Sequence, residues 1–368
     1  MPHAPLDLDS ADAGSSSAAP IADEERYSRQ ILYPGIGAEG QKRLARAHVA
    51  IAGCGATGAA SASLLARAGV GTLTLVDRDF VEASNLQRQV LFDEADAMEA
   101  LPKAEAARRK IARFNSGITV HAQVTDLVPA NIAELFSEAD LILDATDNFE
   151  TRYLINDYAV SSAKPWIYAA AIGAYSATMN VLPKAGGNTA PPWEPTACLA
   201  CIFPKPPSGP VETCDTSGIL STAVNFAASI QVTEALKFLT GQPERMRRTM
   251  LSFDLWSSER SEISASKPDA GCTVCGRREF THLAGEGRPH ITLCGRNSVQ
   301  IHEHHRPVDF AQMRERLTPH GDVRFNDLLL RFQRGPHTIT LFADGRAIVQ
   351  GTTDTTVARS LYARFIGS

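Results

Sequence analysis

Short apolar runs alternate with amphipathic stretches along the first half of this chain. The run 47–55 (AHVAIAGCG) ends in glycines and is typical of a buried parallel strand. The next stretch, 57–69 (TGAASASLLARAG), has helical spacing and stops at Gly69. The alternation continues with a strand over 72–77, a helix around 102–114, a strand near 118–124, a helix near 129–137, a strand ending at Asp147 and a helix from about Thr151 to Ser162. This pattern predicts a doubly wound α/β sheet up to about residue 180.

The alternation stops after residue 180. Residues 184–217 contain three of the seven cysteines and seven of the 21 prolines, and they predict a long irregular loop. Loops of this length in compact domains are usually functional or mobile. Helical spacing returns from Ile219 to Leu239, and residues 248–263 are predicted to form a strand.

Composition along the chain predicts four parts. Residues 1–24 have low complexity and no apolar periodicity, so we expect a disordered tail. Residues 25–283 form the main domain. The stretch 284–289 (AGEGRP) predicts a linker, and 290–368 predict a small α+β module, with an Asp-Gly turn between strands and a final helix.

Charge and composition exclude several classes of protein. Lys and Arg number 36 and Asp and Glu 41, giving a net charge of −5, so no basic excess is available for binding nucleic acid. No apolar stretch reaches the roughly 18 residues of a membrane span. The first residues lack the basic start and apolar core of a signal peptide, and we expect a cytoplasmic protein. An odd number of cysteines without an export signal argues against a disulfide framework.

A glycine motif lies between the first predicted strand and its helix. Gly53, Gly55 and Gly58 form GxGxxG, in which the glycines permit a tight turn, close approach of a phosphate, and close helix–strand packing. The helix N-terminus adds amide donors and the positive end of its dipole. Asp77 ends the next strand, where it could bind a ribose hydroxyl. The motif predicts a Rossmann-like nucleotide site, and a nicotinamide-dependent dehydrogenase is its default interpretation.

Polar residues beyond Asp77 change that interpretation. Asn85 and Arg88 lie in SNLQRQ, Lys103 opens the next helix, and Asp147 with Asn148 ends a strand. An arginine, a lysine and a strand-end aspartate suit a nucleoside triphosphate with Mg²⁺ better than a dinucleotide, because Mg²⁺ prefers oxygen ligands and the cations can bind phosphate. Taken singly, Arg88 and Lys103 could equally be solvated surface residues.

Four cysteines form two CxxC pairs. Cys198 with Cys201, and Cys272 with Cys275, supply the four thiolates of a structural zinc site that leaves no open coordination position. Catalytic or redox use of these thiols is the alternative. His302, His304 and His305 form a short cluster. On a strand, His302 and His304 would share a face that could bind a metal, although surface histidines are the simpler interpretation. Cys54 is expected to be a small buried residue, and Cys294 has no assigned role.

These motifs occur in one order that resembles a known family. RYSRQILYPGIGAEGQKRL, GCGATG, LVDRDFVEASNLQRQ, PKAEAA, DATDN, the two CxxC pairs and Cys214 are similar to the ThiF/MoeB (HesA-type) adenylyltransferases, relatives of ubiquitin-activating enzyme. The resemblance covers about residues 26–278. It implies a homodimeric enzyme that uses Mg-ATP to adenylate the C-terminal carboxylate of a small ubiquitin-like sulfur carrier, in molybdopterin or thiamine synthesis, with release of pyrophosphate.

The resemblance also implies roles for individual residues. Gly53, Gly55 and Gly58 would line the phosphates, Asp77 would bind the ribose, Asn85, Arg88 and Lys103 would contact the triphosphate, and Asp147 would bind Mg²⁺. Arg29 would reach into the other subunit's site. Cys214 lies where some relatives form a covalent link with the carrier, while in others this cysteine is dispensable. Ala56 departs from the family's usual glycine, and its methyl group could weaken nucleotide binding.

Two alternatives from other classes remain at this stage. A nicotinamide-dependent oxidoreductase is disfavoured by SNLQRQ and by the absence of an evident hydride-transfer site. A non-catalytic scaffold of the same fold is disfavoured by the intact set Arg29, Arg88, Lys103 and Asp147. Apart from its histidine cluster, the C-terminal module adds no motif. It has no cysteine after Cys294 for a persulfide, and it ends in Gly367-Ser368, unlike a fused carrier.

Overall fold

Two sheets, formed by consecutive parts of the chain, organise this computed structural model. It describes residues 22–184, 192–206, 217–285, 291–294, 298–301, 308–325, 328–343 and 345–367. In the first part the strands are β1 His48–Ala52, β2 Thr72–Val76, β3 Thr119–Gln123, β4 Leu141–Asp144, β5 Trp166–Ile172, β6 Tyr175–Val181, β7 Thr249–Asp254 and β8 Glu259–Ser264. The helices of this part are α1 Asp23–Arg26, α2 Ser28–Ile31, α3 Gly37–Arg46, α4 Ala56–Ala68, α5 Glu94–Met98, α6 Lys103–Phe114, α7 Ile132–Phe136, α8 Phe149–Ser161, α9 Leu199–Ile202 and α10 Ser221–Leu239.

The larger sheet is wound in both directions from β1. Its order is β3-β2-β1-β4-β5-β6-β7-β8, with parallel pairing from β3 to β5 and antiparallel pairing beyond. Ile51 of β1 lies between Leu75 of β2 and Leu143 of β4. Because both faces of β1 are covered, its run is apolar at almost every position. This confirms the predicted doubly wound α/β sheet.

Separate apolar clusters cover the two faces. Val49 and Ile51 pack with α4, α6 and α10 on one face, and Ala50 and Ala52 pack with α7 and α8 on the other. The carboxyl ends of the parallel strands therefore meet at one edge, between two layers of helices. In such sheets the crevice at this edge is where ligands bind.

The structure differs from the predicted elements at three places. Residues 248–263 form the hairpin of β7 and β8 where one strand was predicted, because the Asp254 carboxylate accepts hydrogen bonds from the N–H groups of Trp256 and Ser257 and turns the chain. The strand predicted to end at Asp147 already ends at Asp144, whose carboxylate binds Thr146 N and Oγ1. The β5–β6 hairpin was not predicted.

The second sheet belongs to the C-terminal module. Its strands are β9 Ile291–Cys294, β10 Ser298–Ile301, β11 Asp322–Phe325, β12 Leu329–Arg334, β13 His337–Phe342 and β14 Ala347–Gln350, and its helices are α11 Phe310–Leu317 and α12 Thr355–Phe365. The strand order is β11-β12-β13-β14-β10-β9, and every pairing is antiparallel. Both helices pack on one face, around Leu330, Phe332 and Tyr362. This confirms the small α+β module, while the domain boundaries stay predictions.

Within the described ranges, no helix combines the length and apolar character that crossing a membrane requires.

Candidate active site

The glycine loop joins β1 to α4, and the backbone gives a physical reason for each glycine. Gly53 has φ +89, and a Cβ there would lie 2.7 Å from Ala145 O. A Cβ on Gly58 would lie 2.0 Å from Gly53 O, so this glycine allows the turn and the helix to pack. At Gly55 nothing lies closer than Gln89 Nε2, at 3.9 Å, so this side of the loop is open to a ligand. Ala56 is the first residue of α4 and is half-buried.

Asp77 fixes the loop that follows β2 to the glycine loop. Its Oδ2 accepts a hydrogen bond from Cys54 N at 2.6 Å, and its Oδ1 accepts one from Asp79 N at 2.7 Å. Burial raises the pKa of the Asp77 carboxyl, and the Lys103 ammonium together with the two N–H donors opposes that rise. Asp77 thus lies directly beside the glycine loop, where a ribose would be expected.

Lys103 brings a buried positive charge to the same edge. It begins α6, its side chain is only 5% exposed, and its Nζ lies 3.1 Å from Asp79 Oδ2. Burial lowers the pKa of the Lys103 ammonium, but Asp79, Asp77 and Asp147 outweigh it and raise that pKa overall. The ammonium stays charged at neutral pH, as phosphate binding requires. Asp79 was not predicted, although the spacing of the two aspartates in VDRD was a visible signal.

Asn85 and Gln89 each have a buried polar atom that no other described residue contacts by a hydrogen bond. Asn85 ends a short 3₁₀ turn, and its Oδ1 accepts a hydrogen bond from Glu82 N. Among the described residues, Asn85 Nδ2 and Gln89 Oε1 make no hydrogen bond, and both side chains are almost fully buried. An unpaired buried polar atom is costly, so a ligand at these atoms would stabilise the site. Gln89 was missed, although it lies within SNLQRQ.

Arg88 lies in the same segment, and its Nη1 donates to Ser84 O at 2.8 Å.

Asp147 lies on the loop between β4 and α8. Arg152 of α8 stabilises this loop. Its Nη2 donates to Thr146 O at 2.6 Å, and its Nε lies 3.3 Å from Asp144 Oδ2. Burial lowers the pKa of the Arg152 guanidinium, but nearby Asp144, Tyr168 and Asp147 raise it overall, so the cation persists. Asn148 caps α8 by accepting from Thr151 N. Asp147 itself is exposed and interacts electrostatically with both Lys103 and Arg152. Arg152 was not predicted, because its role depends on tertiary contacts.

Arg29 lies far from this site within its own chain. It is an exposed residue of α2. The neighbouring Gln30 donates to Ala68 O at the end of α4, and Tyr27 OH accepts from Asn115 Nδ2. The glycine loop lies at the opposite end of α4, which has 13 residues and is therefore about 20 Å long. Among the described residues that were predicted for the nucleotide site, Arg29 is the one that the fold of its own chain does not bring to this edge.

The four CxxC sulfurs meet, as the zinc prediction requires. Cys198 Sγ lies 3.8 Å from Cys201 Sγ and 3.7 Å from Cys272 Sγ, and Cys201 and Cys275 are 3.3 Å apart. All four ligand atoms lie within 4.8 Å of one another. Sulfurs bound at about 2.3 Å to one tetrahedral zinc ion are about 3.8 Å apart, so the donor set fits this metal.

A neighbouring helix supports the thiolates. Asn156 of α8 is fully buried, its Nδ2 lies 3.8 Å from Cys198 Sγ, and its Oδ1 accepts from Leu199 N at 2.9 Å. Such polar partners orient metal ligands and stabilise their charge. The cluster therefore packs against α8, the helix that follows Asp147.

Several predicted residues lie outside the described residues. Cys214 belongs to 207–216, and His302, His304 and His305 belong to 302–307. Cys294 ends β9, and its side chain is not described. Cys54 is a fully buried free thiol, as expected.

Comparison with known proteins gives a consistent result. The model of the ThiF family matches residues 27–274. The sulfur carrier protein ThiS adenylyltransferase of Bacillus subtilis is 44% identical over 347 residues, which are 93% of this chain and 99% of that protein. The probable adenylyltransferase/sulfurtransferase MoeZ of Mycobacterium tuberculosis is 38% identical over 276 residues, 73% of this chain and 67% of that protein.

A solved structure resembles the fold. The crystal structure of Escherichia coli MccB with ATP superposes with a TM-score of 0.57 at 25% sequence identity, covering 68% of this chain and 74% of that one.

Proposed function

The chain belongs to the ThiF family, and from that premise we propose that it adenylates the C-terminal carboxylate of a small ubiquitin-like sulfur carrier, consuming ATP and releasing pyrophosphate. One arrangement carries this proposal: the buried Lys103 ammonium interacts with Asp77, Asp79 and Asp147 beside a glycine loop whose middle glycine faces open space. A lysine ammonium is a common binding group for phosphates, and a strand-end carboxylate supplies the oxygen ligand that Mg²⁺ prefers, as Mg-ATP requires.

The chemistry needs positioning and charge neutralisation. A C-terminal carboxyl group has a pKa of about 3.5, so it is ionised at neutral pH and needs no general base. One of its oxygens attacks the α-phosphorus of ATP, the bond to the β-phosphate oxygen breaks, and pyrophosphate leaves with that electron pair. The product is an acyl-adenylate. Lys103 and Arg88 position the phosphates and neutralise part of their negative charge. This lowers the electrostatic repulsion that the incoming carboxylate meets.

Metal ions enter in two roles. Mg²⁺, held by the carboxylate of Asp147, would neutralise charge on the pyrophosphate as it leaves. Asp147 and Asp79 both interact with Lys103, so two hard oxygen donors lie near one phosphate-binding cation. The four thiolates would hold a structural zinc ion that takes no part in the chemistry.

A carrier of the ThiS type is the best-supported substrate. The match to the ThiS adenylyltransferase spans 93% of this chain, including the C-terminal module, whereas the match to MoeZ spans 73%. A cytoplasmic location, where ATP is available, is part of the same proposal.

Isotope exchange tests this function. We expect ATP–pyrophosphate exchange that requires Mg²⁺ and a ThiS-type carrier, because adenylation is reversible until the acyl-adenylate is consumed. A carrier shortened at its C-terminus is the control and is expected to give no exchange. Exchange that persists with the shortened carrier, or binding of NAD but not ATP in calorimetry, would contradict the proposal.

We also propose a homodimer in which Arg29 completes the partner's site, because α4 separates it from its own. Arg29→Ala and Lys103→Ala are each expected to be inactive alone. After subunit exchange, one site of a mixed dimer carries both lesions and the other none, so activity should return to as much as about half per mixed dimer. Lys42→Ala, which removes an exposed cation of α3, is expected to remain active. If subunits exchange and activity stays absent, Arg29 has no role across the interface.

A further inference from the structure

The sheet of the C-terminal module has a second face that the module does not cover. Arg331 of β12, Thr340 of β13, Ile348 of β14 and Gln300 of β10 lie side by side in this face, opposite the apolar cluster that packs on α11 and α12. Gln300 and Thr340 are nonetheless fully buried. A sheet face that is buried without helices of its own module must be covered by another part of the chain.

The main domain covers this face at the loop that follows β2. The Arg331 guanidinium carbon lies 4.6 Å from the centre of the Phe80 ring. Gln350 Nε2 donates to Glu82 Oε1 at 3.3 Å. A third contact joins Gln300 Nε2 to Asp126 Oδ2 at 3.5 Å. The three contacts come from three strands of one sheet, so the sheet as a whole packs against this part of the main domain.

The third contact reaches the same loop indirectly, through Asp126. Arg78 Nη1 lies 3.2 Å from Asp126 Oδ1, so Asp126 joins Gln300 to residue 78. Residues 77–85, named here the ribose loop, thus receive all three contacts directly or through one carboxylate.

The ribose loop carries much of the nucleotide site. Asp77 at its start holds the glycine loop, and Asn85 at its end has the unpaired amide nitrogen. Between them, Phe80 pairs with Pro102, and Val81 N donates to Leu101 O, so the loop also fixes the start of α6 at Lys103. Glu82, which Gln350 contacts, caps the turn that ends at Asn85.

We propose that the C-terminal module is a positioning element of the nucleotide site, in which Arg331 and Gln350 hold the ribose loop in its binding geometry. This inference rests on the proposed function, since the loop is taken to bind ATP. A loop that is ordered before ATP arrives spares the ligand the cost of ordering it, so the module increases affinity without touching the nucleotide. Arg331 packs over Phe80, which is only 4% exposed, where a cation–ring contact is strongest.

Arg331→Ala tests the proposal against a matched control in the same strand. The Arg334 guanidinium lies 4.9 Å from the Phe365 ring inside the module, so Arg334→Ala removes the same group without touching the ribose loop. We expect Arg331→Ala to weaken ATP binding roughly tenfold, as loss of a desolvated cation–ring contact would. The KM for ATP should rise to a similar extent with kcat little changed. Arg334→Ala should stay near wild type, and Arg331→Lys should recover part of the affinity.

Hydrogen exchange of the nucleotide-free protein gives a second measurement. Backbone amides of residues 79–85 should exchange faster in Arg331→Ala than in Arg334→Ala, and Gln350→Ala should change them in the same direction by a smaller factor. Equal ATP affinity and equal exchange in the Arg331 and Arg334 variants would overturn the proposal. If wild-type protein fails to bind ATP, the proposed function fails, and the exchange contrast still decides whether the module orders the loop.

Discussion

Replacing Asp147 by alanine is expected to lower ATP–pyrophosphate exchange by about a hundredfold or more. The Asp147 carboxylate interacts electrostatically with both Lys103 and Arg152, and loss of one preorganised charged group at a reacting phosphate typically costs about two to three orders of magnitude. Asp147→Asn keeps the shape of the side chain and removes its charge. We expect a comparable loss, because an amide is a poor ligand for Mg²⁺.

Folding can be separated from chemistry in this variant. Asp147 is exposed, so its replacement should change the free energy of unfolding by no more than about 0.5 kcal/mol. Glu134→Ala, which removes an exposed carboxylate of α7, is the matched control and should leave exchange unchanged. Normal exchange in Asp147→Ala would remove this residue from the reaction, and an equal loss in Glu134→Ala would point to a general effect of charge.

Loss of one zinc thiolate is expected to have the largest effect on stability. Cys272→Ser should abolish the stoichiometric zinc, about one ion per chain, and lower the stability by several kcal/mol, because the binding energy of a structural metal is also folding energy. Cys272 is buried and lies within the apolar cluster of α8, so the damage should reach the core. Elemental analysis and thermal unfolding measure the two effects on one preparation.

Cys54→Ala is the control for the zinc experiment. It also removes a buried thiol, but one that lies outside the cluster, so its zinc content should equal that of wild type. A wild-type protein that contains no zinc and yet is as stable as the zinc-treated protein would show that the four thiols have another purpose.

Sequence patterns predicted those parts of the fold in which local and tertiary preferences agree. The run from His48 to Ala52 is apolar because it is central. The two CxxC pairs predicted a zinc site from residue type and spacing, and the fold brings their four sulfurs together. The hairpin of β7 and β8 was missed because its turn depends on the carboxylate of Asp254, which interrupts an otherwise continuous strand pattern.

Site residues that belong to a sequence motif could be predicted. Residues whose role depends on a tertiary contact could not. Gly53, Asp77 and Lys103 are found together at one edge of the sheet, as their order along the chain suggested. Arg152 was not recognisable, since a lone arginine in a helix pattern is usually solvated, and only the fold places it beneath Thr146. The covered face of the C-terminal sheet was hidden for the same reason: Gln300 and Thr340 resemble solvent-facing residues until another domain is packed on them.

Helix α8 sets a limit on how this protein can diverge. Its first turn holds the Asp147 loop through Arg152, and a turn later Asn156 meets the Cys198 sulfur. An α-helix advances about 100° per residue, so one inserted or deleted residue between these two positions would rotate the ends against each other by that angle. The helix could then keep the contact of Arg152 with Thr146 or the contact of Asn156 with Cys198, but not both. Over evolutionary time, the spacing from Arg152 to Asn156 should therefore tolerate substitutions at exposed positions but no change in length.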